Sequence, residues 1–581
     1  MASPPSGLTF SPAQLALIEK PGSRVVKACP GAGKTQSIVE RFIQRPGLDD
    51  RRGVALISFT NAAITAAEAR CRDRPTFLKA PNFVGTIDSF INRYIVGPIH
   101  TATLGKPPSF RDTWDTVPGT LYSASAERRL RLHLSWFSFA LDGTATLASH
   151  KIPGDRKKQV LALTAPVMQG VTAEASYKWR SLTRAGFVDC EYARHLMSAY
   201  FAEPEVADPL RQRFFHRFGE VIIDEFQDSN GGDAALIRFL QEAGISVVMV
   251  GDVDQEIYGF RQATTGEAGS LAGLVEVGEP LDGNYRSTPA ICKLVDSLRH
   301  GNNTDAACGQ WAHEIRPVHV LKSVRPAEAA AKIAAVAARE GFGPEQIVVL
   351  AHGGKDARSY AGAGTPVGTA SSRIERLAQA VATIRDGQVK PHARAQAIAL
   401  FESILRELGR DGLPDLPDDD FFKLCGLTQR QFRAGCLRLV WRVAPYEAGQ
   451  REFQEAIKTG VAALGWEKLL PRIGVKLKVT DEEWKHAPVT DNPAALPWST
   501  VHGYKGLQSP AVAVVIPELG KRGILQEGVS FWENGQPGET RRVLYVAASR
   551  AQRLAILVVD ESQHEAVIKI LNRDNVPFIE A

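Results

Sequence analysis

Eight short runs rich in valine and isoleucine constrain the fold of this chain more than any other feature. Residues 24–28, 54–59, 220–223 and 246–250 form one group, and 318–321, 346–350, 511–516 and 554–559 a second. Each run stops where glycine or polar residues begin. A short, continuous apolar run reads as a strand buried on both faces, the kind that parallel sheets use. Helix-compatible stretches follow the runs, and this alternation predicts open α/β sheets whose ligands sit at the carboxyl ends of the strands. Two cores are expected, one from 1–95 with 214–283 and the other from 284–371 with 497–581. The intervening spans, 96–213 and 372–496, have helical periodicity with many aromatic and basic residues, and predict two helical insertion domains, the second compact.

At 581 residues the chain has room for about four domains. Its 44% hydrophobic and 23% charged content is ordinary for globular proteins, so long disorder is not expected. Sixty-nine Lys and Arg against 64 Asp and Glu leave a formal charge of +5, which suits a polyanionic partner without demanding one. The seven cysteines are scattered, with no Cys-x-x-Cys pair, which argues against a disulfide framework or a zinc site and for a reducing, cytoplasmic setting. Met1 to Gly7 lack a basic stretch followed by an apolar one, and no apolar run approaches the roughly 18 residues of a membrane span. The expectation is a soluble protein with no membrane partner.

The first run ends in Ala28-Cys29-Pro30-Gly31-Ala32-Gly33-Lys34-Thr35. Small residues at a strand-to-helix turn let backbone N–H groups wrap phosphates, Lys34 can reach the β and γ phosphates of ATP, and the Thr35 hydroxyl can hold Mg²⁺. The first position is Ala28 where the strict P-loop pattern has glycine, a small-for-small exchange. About 190 residues later an apolar strand ends in Asp224-Glu225-Phe226-Gln227-Asp228. Adjacent carboxylates there divide the labour of phosphoryl transfer, Asp224 binding Mg²⁺ and Glu225 orienting and deprotonating the attacking water.

Further motifs follow in a set order. Gln14 precedes the P-loop. Phe59-Thr60-Asn61 and Gly85-Thr86-Ile87-Asp88-Ser89-Phe90 come between it and the acidic pair, and Gly251-Asp252-Val253-Asp254-Gln255-Glu256-Ile257-Tyr258-Gly259-Phe260-Arg261 comes after it. Asn284-Tyr285-Arg286-Ser287, Ser499-Thr500-Val501-His502-Gly503-Tyr504-Lys505-Gly506-Leu507 and Arg541-Arg542-Val543-Leu544-Tyr545-Val546-Ala547-Ala548-Ser549-Arg550-Ala551 complete the set. Over residues 8 to about 560 the chain resembles the UvrD/Rep/PcrA family of superfamily 1A DNA helicases. That resemblance implies two RecA-like cores carrying helical insertions, ATP and Mg²⁺ as cofactors, and translocation on single-stranded or tailed DNA in the 3′ to 5′ direction.

Carried over by position, the resemblance implies that Gln14 reads the adenine, Tyr285 stacks on it, and Gln255, Arg286 and Arg550 approach the γ-phosphate. Gly31, Ala32, Gly33, Lys34 and Thr35 would cradle the phosphates. Two arginines on one lobe and a P-loop on the other make a site that is complete only when the cleft closes. Three positions depart from the family pattern. Gln36 stands where arginine is common, Gln508 where an acidic residue contacts the ribose, and Phe260 where tryptophan is usual. Nucleotide selectivity is therefore expected to be looser.

Single strands are gripped through phosphates and aromatic platforms, each stacked base contributing about 1–3 kcal/mol. Phe59, Tyr258 and Phe260 fall near strand ends where such platforms face a groove, with Thr60, Asn61 and Thr86 beside them. His502 and Arg261 are placed to couple that groove to the ATP cleft; a buried, satisfied histidine is the other reading of His502. In the second insertion, Phe422, Phe432 and Trp441 are interleaved with Arg430, Arg433, Arg438 and Arg442, a pattern that fits either a solvated basic helix face or a DNA-facing one. About thirty residues follow the last motif, too few for a nuclease domain, so a separate nuclease subunit is expected as partner. The second insertion is short compared with those of typical repair helicases, and the Gly85-Thr86-Ile87-Asp88-Ser89-Phe90 motif with the following Pro98 region resembles compact UvrD-like proteins of antiphage operons, such as the helicase-like subunit of Gabija-type systems. The competing reading is a DNA-stimulated NTPase that serves such a complex as sensor or regulatory subunit.

Overall fold

In the computed structural model the apolar runs become the strands of two sheets. The structure describes residues 9–48, 51–59, 61–72, 75–114, 121–123, 131–152, 154–255, 275–299, 305–322, 325–363, 372–386, 391–410, 421–422, 424–443, 449–470, 473–479, 484, 495–517 and 527–581. The first sheet contains β1 (Arg24–Lys27), β2 (Gly53–Ser58), β3 (Phe83–Thr86), β4 (Phe218–Asp224), β5 (Ser246–Gly251) and β6 (Glu276–Val277). The second contains β7 (Val318–Lys322), β8 (Ile347–Ala351), β9 (Trp498–Thr500), β10 (Ser509–Ile516), β11 (Ala551–Val559) and β12 (Phe578–Glu580). Their spatial orders are β6-β1-β5-β4-β2-β3 and β9-β8-β10-β11-β7-β12, and every pairing is parallel. The chain is an α/β protein with two RecA-like cores.

Side chains on a strand alternate between faces, so a strand buried on both sides must be apolar throughout. In the first sheet Val25, Ala55, Ile57, Val221, Ile223, Val247 and Met249 enter one core cluster, while their neighbours Val26, Val54, Leu56, Ile222, Val248 and Val250 enter another. The second sheet repeats the pattern, with Val320, Val348, Leu350, Val512, Val514 and Leu557 on one face. Each fully buried Val, Leu or Ile contributes about 1.5–3 kcal/mol of transfer free energy.

One buried cation fixes the first core around its turns. Arg41, on the helix Lys34–Gln44, donates from Nε and Nη2 to the two carboxylate oxygens of Glu220 at 2.9 and 2.6 Å. Its Nη1 donates to the carbonyls of Leu17 and Lys20 at 2.6 and 2.8 Å. The bidentate geometry satisfies both charges without water and ties the helix after β1 to the start of β4 and to the helix Pro12–Glu19.

The span 96–213 is mixed, not wholly helical. Helices Ala165–Arg184, Cys190–Ala202 and Pro204–Arg217 are accompanied by a parallel pair, Ser109–Arg111 with Phe187–Asp189, and an antiparallel ribbon, Phe137–Phe139 with Ala145–Leu147. The ribbon has a physical cause in Asp142-Gly143: Gly143 takes φ 83° and the Asp142 carboxylate caps the Thr144 N–H at 2.8 Å.

The chain divides into two compact units. One comprises Met1–Trp114, Trp136–Tyr360 and Leu496–Ala581 and holds both sheets; the other joins Asp115–Ser135 with Ala361–Ala495. In the second unit, helices Arg373–Arg385, Pro391–Arg410, Gln429–Arg442 and Gln450–Ala463 enclose Phe401, Phe421, Phe432, Phe453 and Trp466, with Phe432 and Trp466 stacked at 5.3 Å. Arg430, Arg438 and Arg442 face solvent there, whereas Arg433 pairs with Glu402 at 2.5 Å. Among the described residues no helix is long and apolar enough to cross a membrane.

Candidate nucleotide site

The turn after β1 is built by two glycines in the left-handed region, Gly31 at φ 74° and Gly33 at φ 73°. Side chains rarely adopt that conformation, and here none would fit. A Cβ on Gly31 would meet Asn284 Oδ1 at 2.5 Å, and one on Gly33 would meet Gln14 Nε2 at 2.7 Å. Gln14 is buried and held twice: Ser11 and Gln14 form a capping box, and Gln14 Nε2 donates to the Ala32 carbonyl at 2.9 Å. The conformation leaves the first turn of the helix Lys34–Gln44 with N–H groups free of side-chain caps, a ready anion cradle. Lys34 begins that helix and is nearly buried, with Thr35 partly exposed and Gln36 exposed.

Two carboxylates face this turn from the end of β4. Asp224 is buried and its Oδ1 has no hydrogen-bond partner, a costly arrangement that a bound cation would relieve. Burial and the adjacent Glu225 push the Asp224 carboxyl well above its usual range. Glu225 sits at φ 56°, a strained conformation for a bulky side chain, and it aims a carboxylate oxygen 3.9 Å from Lys34 Nζ. Burial alone would raise its pKa, but Lys34, Lys505, a 2.6 Å hydrogen bond from Gln227 Nε2 and Arg550 together hold it well below the usual range. One carboxyl is thus kept ionised beside another that is short of a partner.

The second core completes the wall. Arg550, buried at the end of the helix Glu539–Ala548, donates from Nη2 to Gln255 Oε1 at 2.8 Å, and Gln255 Nε2 donates to Asp252 at 2.8 Å. Tyr545, one turn earlier, donates to the same Asp252 oxygen at 2.8 Å and accepts from Arg299 at 2.8 Å. Arg286 donates to Gln508 Oε1 at 2.9 Å and to the Ser549 carbonyl at 2.8 Å. Burial and the repulsion of Arg550 both disfavour its charge, yet a guanidinium does not give up its proton. Arg286 is partly exposed and Arg550 buried, and the two guanidiniums repel each other, an arrangement that a nearby anion would relieve. Tyr285 joins the turn through its backbone, its N–H donating to the Gly31 carbonyl at 2.9 Å.

The structure therefore brings Gln14, Gly31, Ala32, Gly33, Lys34, Asp224, Glu225, Gln255, Tyr285, Arg286, Gln508 and Arg550 to one cleft. The strand-track candidates are placed less directly. Phe59 is partly buried against the first core, and Thr86 caps the helix Ile87–Ile91, accepting from Ser89 N at 3.2 Å. Both have a packing or capping role already. His502 is half-buried and stacks on His352. Thr60, Tyr258, Phe260 and Arg261 lie outside the described residues, as does the Asn61 side chain. Sequence reasoning did not single out Asp252, Tyr545, Lys505 or Arg299. They lie in or near quoted motifs, but their pairing spans the two cores and leaves no local pattern.

Residues 10–270 match the family described as UvrD/REP helicase N-terminal domain. The chain is 25% identical over 306 residues to DNA helicase II of Escherichia coli, a match that covers 49% of this chain and 40% of the relative. It is 27% identical over 310 residues to DNA helicase II of Haemophilus influenzae, covering 50% of this chain and 40% of the relative. To DNA helicase II of Salmonella typhimurium it is 24% identical over 291 residues, covering 48% of this chain and 38% of the relative. The chain thus spans about two fifths of the length of the helicase II relatives it matches, and its similarity is to UvrD-like helicases.

Proposed function

We propose that this chain is an ATP-driven translocase on single-stranded DNA, able to displace a complementary strand in the 3′ to 5′ direction. The observation that carries the reading is the Arg550–Gln255 contact. It joins a guanidinium of the second core to Gln255 of the first, and the charge of Arg550 also acts on Glu225, which supports a catalytic site with parts from two lobes.

In this reading the N–H groups of the glycine turn and Lys34 hold the phosphates. Gln14 and Tyr285 take the adenine from either side of the turn, and Gln36 and Gln508 lie beside the base and ribose. Thr35 and the unpartnered oxygen of Asp224 would hold Mg²⁺, which when bound offsets phosphate charge. Glu225, ionised by its cationic surroundings, orients the attacking water and takes its proton. Gln255, Arg286 and Arg550 stabilise the charge that develops on the transferred phosphoryl group, at full strength only when the cores are together. Opening and closing of the cleft then moves the strand past Phe59, Thr60, Asn61, Thr86, Tyr258, Phe260 and His502. The spans 96–213 and 372–496 act as insertion domains, the second offering a surface for a separate nuclease chain.

The test is ATP-dependent displacement of a labelled strand from 3′-tailed, 5′-tailed and blunt duplexes. Displacement confined to the 3′-tailed substrate is expected. Equal activity on 5′-tailed DNA would contradict the polarity, and none on any substrate would contradict unwinding.

A further inference from the structure

Strands β8 and β9 are in register at Ala351 and Thr500, and the Val501 N–H donates to the Ala351 carbonyl at 3.0 Å. The two chains leave their strands as neighbours, and His352 and His502, one and two residues past this register point, lie together just beyond the carboxyl ends of the two strands. Their rings lie 5.6 Å apart with planes 27° from parallel. Glu539 opens the helix Glu539–Ala548 beside them. One ligand-capable atom from each of the three residues lies within 4.8 Å of the other two. The histidines are half-buried and Glu539 is exposed, which leaves a path from solvent.

We propose that His352, His502 and Glu539 form a binding site for a divalent transition-metal ion of the zinc class. Two imidazole nitrogens and one carboxylate oxygen make a borderline donor set that suits Zn²⁺ or Co²⁺, whereas Mg²⁺ and Ca²⁺ take oxygen ligands. The carboxylate also settles the sign of the ligand, because a negative group facing both imidazoles repels a phosphate and attracts a cation. Ligand bonds of about 2.0–2.2 Å require donor atoms roughly 3.5 Å apart, so binding would draw the three side chains, now within 4.8 Å of one another, closer together. No cysteine takes part, so cysteine spacing gives no hint of this site.

The test is a titration of the full chain with Co²⁺ in excess Mg²⁺, read by the visible absorption of bound cobalt and by its displacement with Zn²⁺. One equivalent without a thiolate charge-transfer band is expected. H352N and E539Q should each weaken binding by about tenfold or more, with the thermal midpoint held. Absence of a saturable cobalt spectrum would overturn the site, as would a thiolate band, the sign of capture by the exposed Cys308. If H352N does not fold, E539Q decides alone, since Glu539 lies on an exposed helix start, and unchanged affinity in that variant would also overturn the proposal.

Discussion

Lys505 Nζ lies 2.8 and 2.7 Å from the two carboxylate oxygens of Asp228, and both side chains are almost wholly withdrawn from water. The lysine belongs to the loop after β9 and the aspartate to the turn after β4, so this buried ion pair fastens one sheet to the other. Lys505 also donates to the Gln255 carbonyl at 3.2 Å, which places the clasp against the residue that Arg550 touches.

Removing one half of a buried pair strands the other charge. Lys505→Met should lower unfolding free energy by about 3–5 kcal/mol, and adding Asp228→Leu should recover much of it. Urea unfolding of the single and double variants measures this. An unchanged midpoint in Lys505→Met would show that Asp228 finds water easily and that the clasp is not closed.

Gly33→Ala should impair the nucleotide turn with little effect elsewhere. The new methyl meets Gln14 Nε2 at 2.7 Å on a backbone at φ 73°, a conformation that costs a non-glycine residue about 1–2 kcal/mol. Binding of a fluorescent ATP analogue should weaken by about tenfold, the equivalent of 1.4 kcal/mol. Wild-type affinity would mean that the turn does not touch phosphates.

Arg550→Ala should reduce turnover by about 10³-fold or more while nucleotide binding persists, because its charge acts on the transition state. A variant that loses affinity and keeps its turnover number would instead make Arg550 a simple binding group.

The Asp189 carboxyl caps the helix Cys190–Ala202, accepting from Tyr192 N at 2.9 Å, and burial, opposed in part by that bond, raises its pKa to about 7. A folded value above the unfolded one means that the native state holds the extra proton. Stability from this group is therefore greatest at low pH and falls as pH rises from about 4 through 7. Asp189→Asn keeps the cap and removes the charge. Its thermal midpoint should exceed wild type at pH 8, by up to about 4 kcal/mol in free energy, with the gain shrinking toward pH 5. A gain independent of pH would show that Asp189 titrates normally.

Legibility in the sequence followed how local each cause is. Val221-Ile222-Ile223 could only be a doubly buried strand, and Gly31 and Gly33 announced their turn, because neighbours in the chain decide those outcomes. The mixed character of 96–213 was readable in Asp142-Gly143 but was obscured by the aromatic and basic residues around it. Lone arginines such as Arg286 and Arg550 carry no pattern of their own, and only motif resemblance drew attention to them. Lys505 and Asp228 are 277 residues apart, and no spacing rule reaches that far. His352 meets His502 only because β8 and β9 happen to be neighbours.

The most direct test of the account is steady-state ATP hydrolysis by the purified chain with and without single-stranded DNA, set beside Glu225→Gln. The account predicts that DNA raises wild-type turnover. It also predicts that Glu225→Gln abolishes hydrolysis in both conditions while still binding ATP. Turnover in Glu225→Gln equal to wild type, or hydrolysis indifferent to DNA, would contradict it.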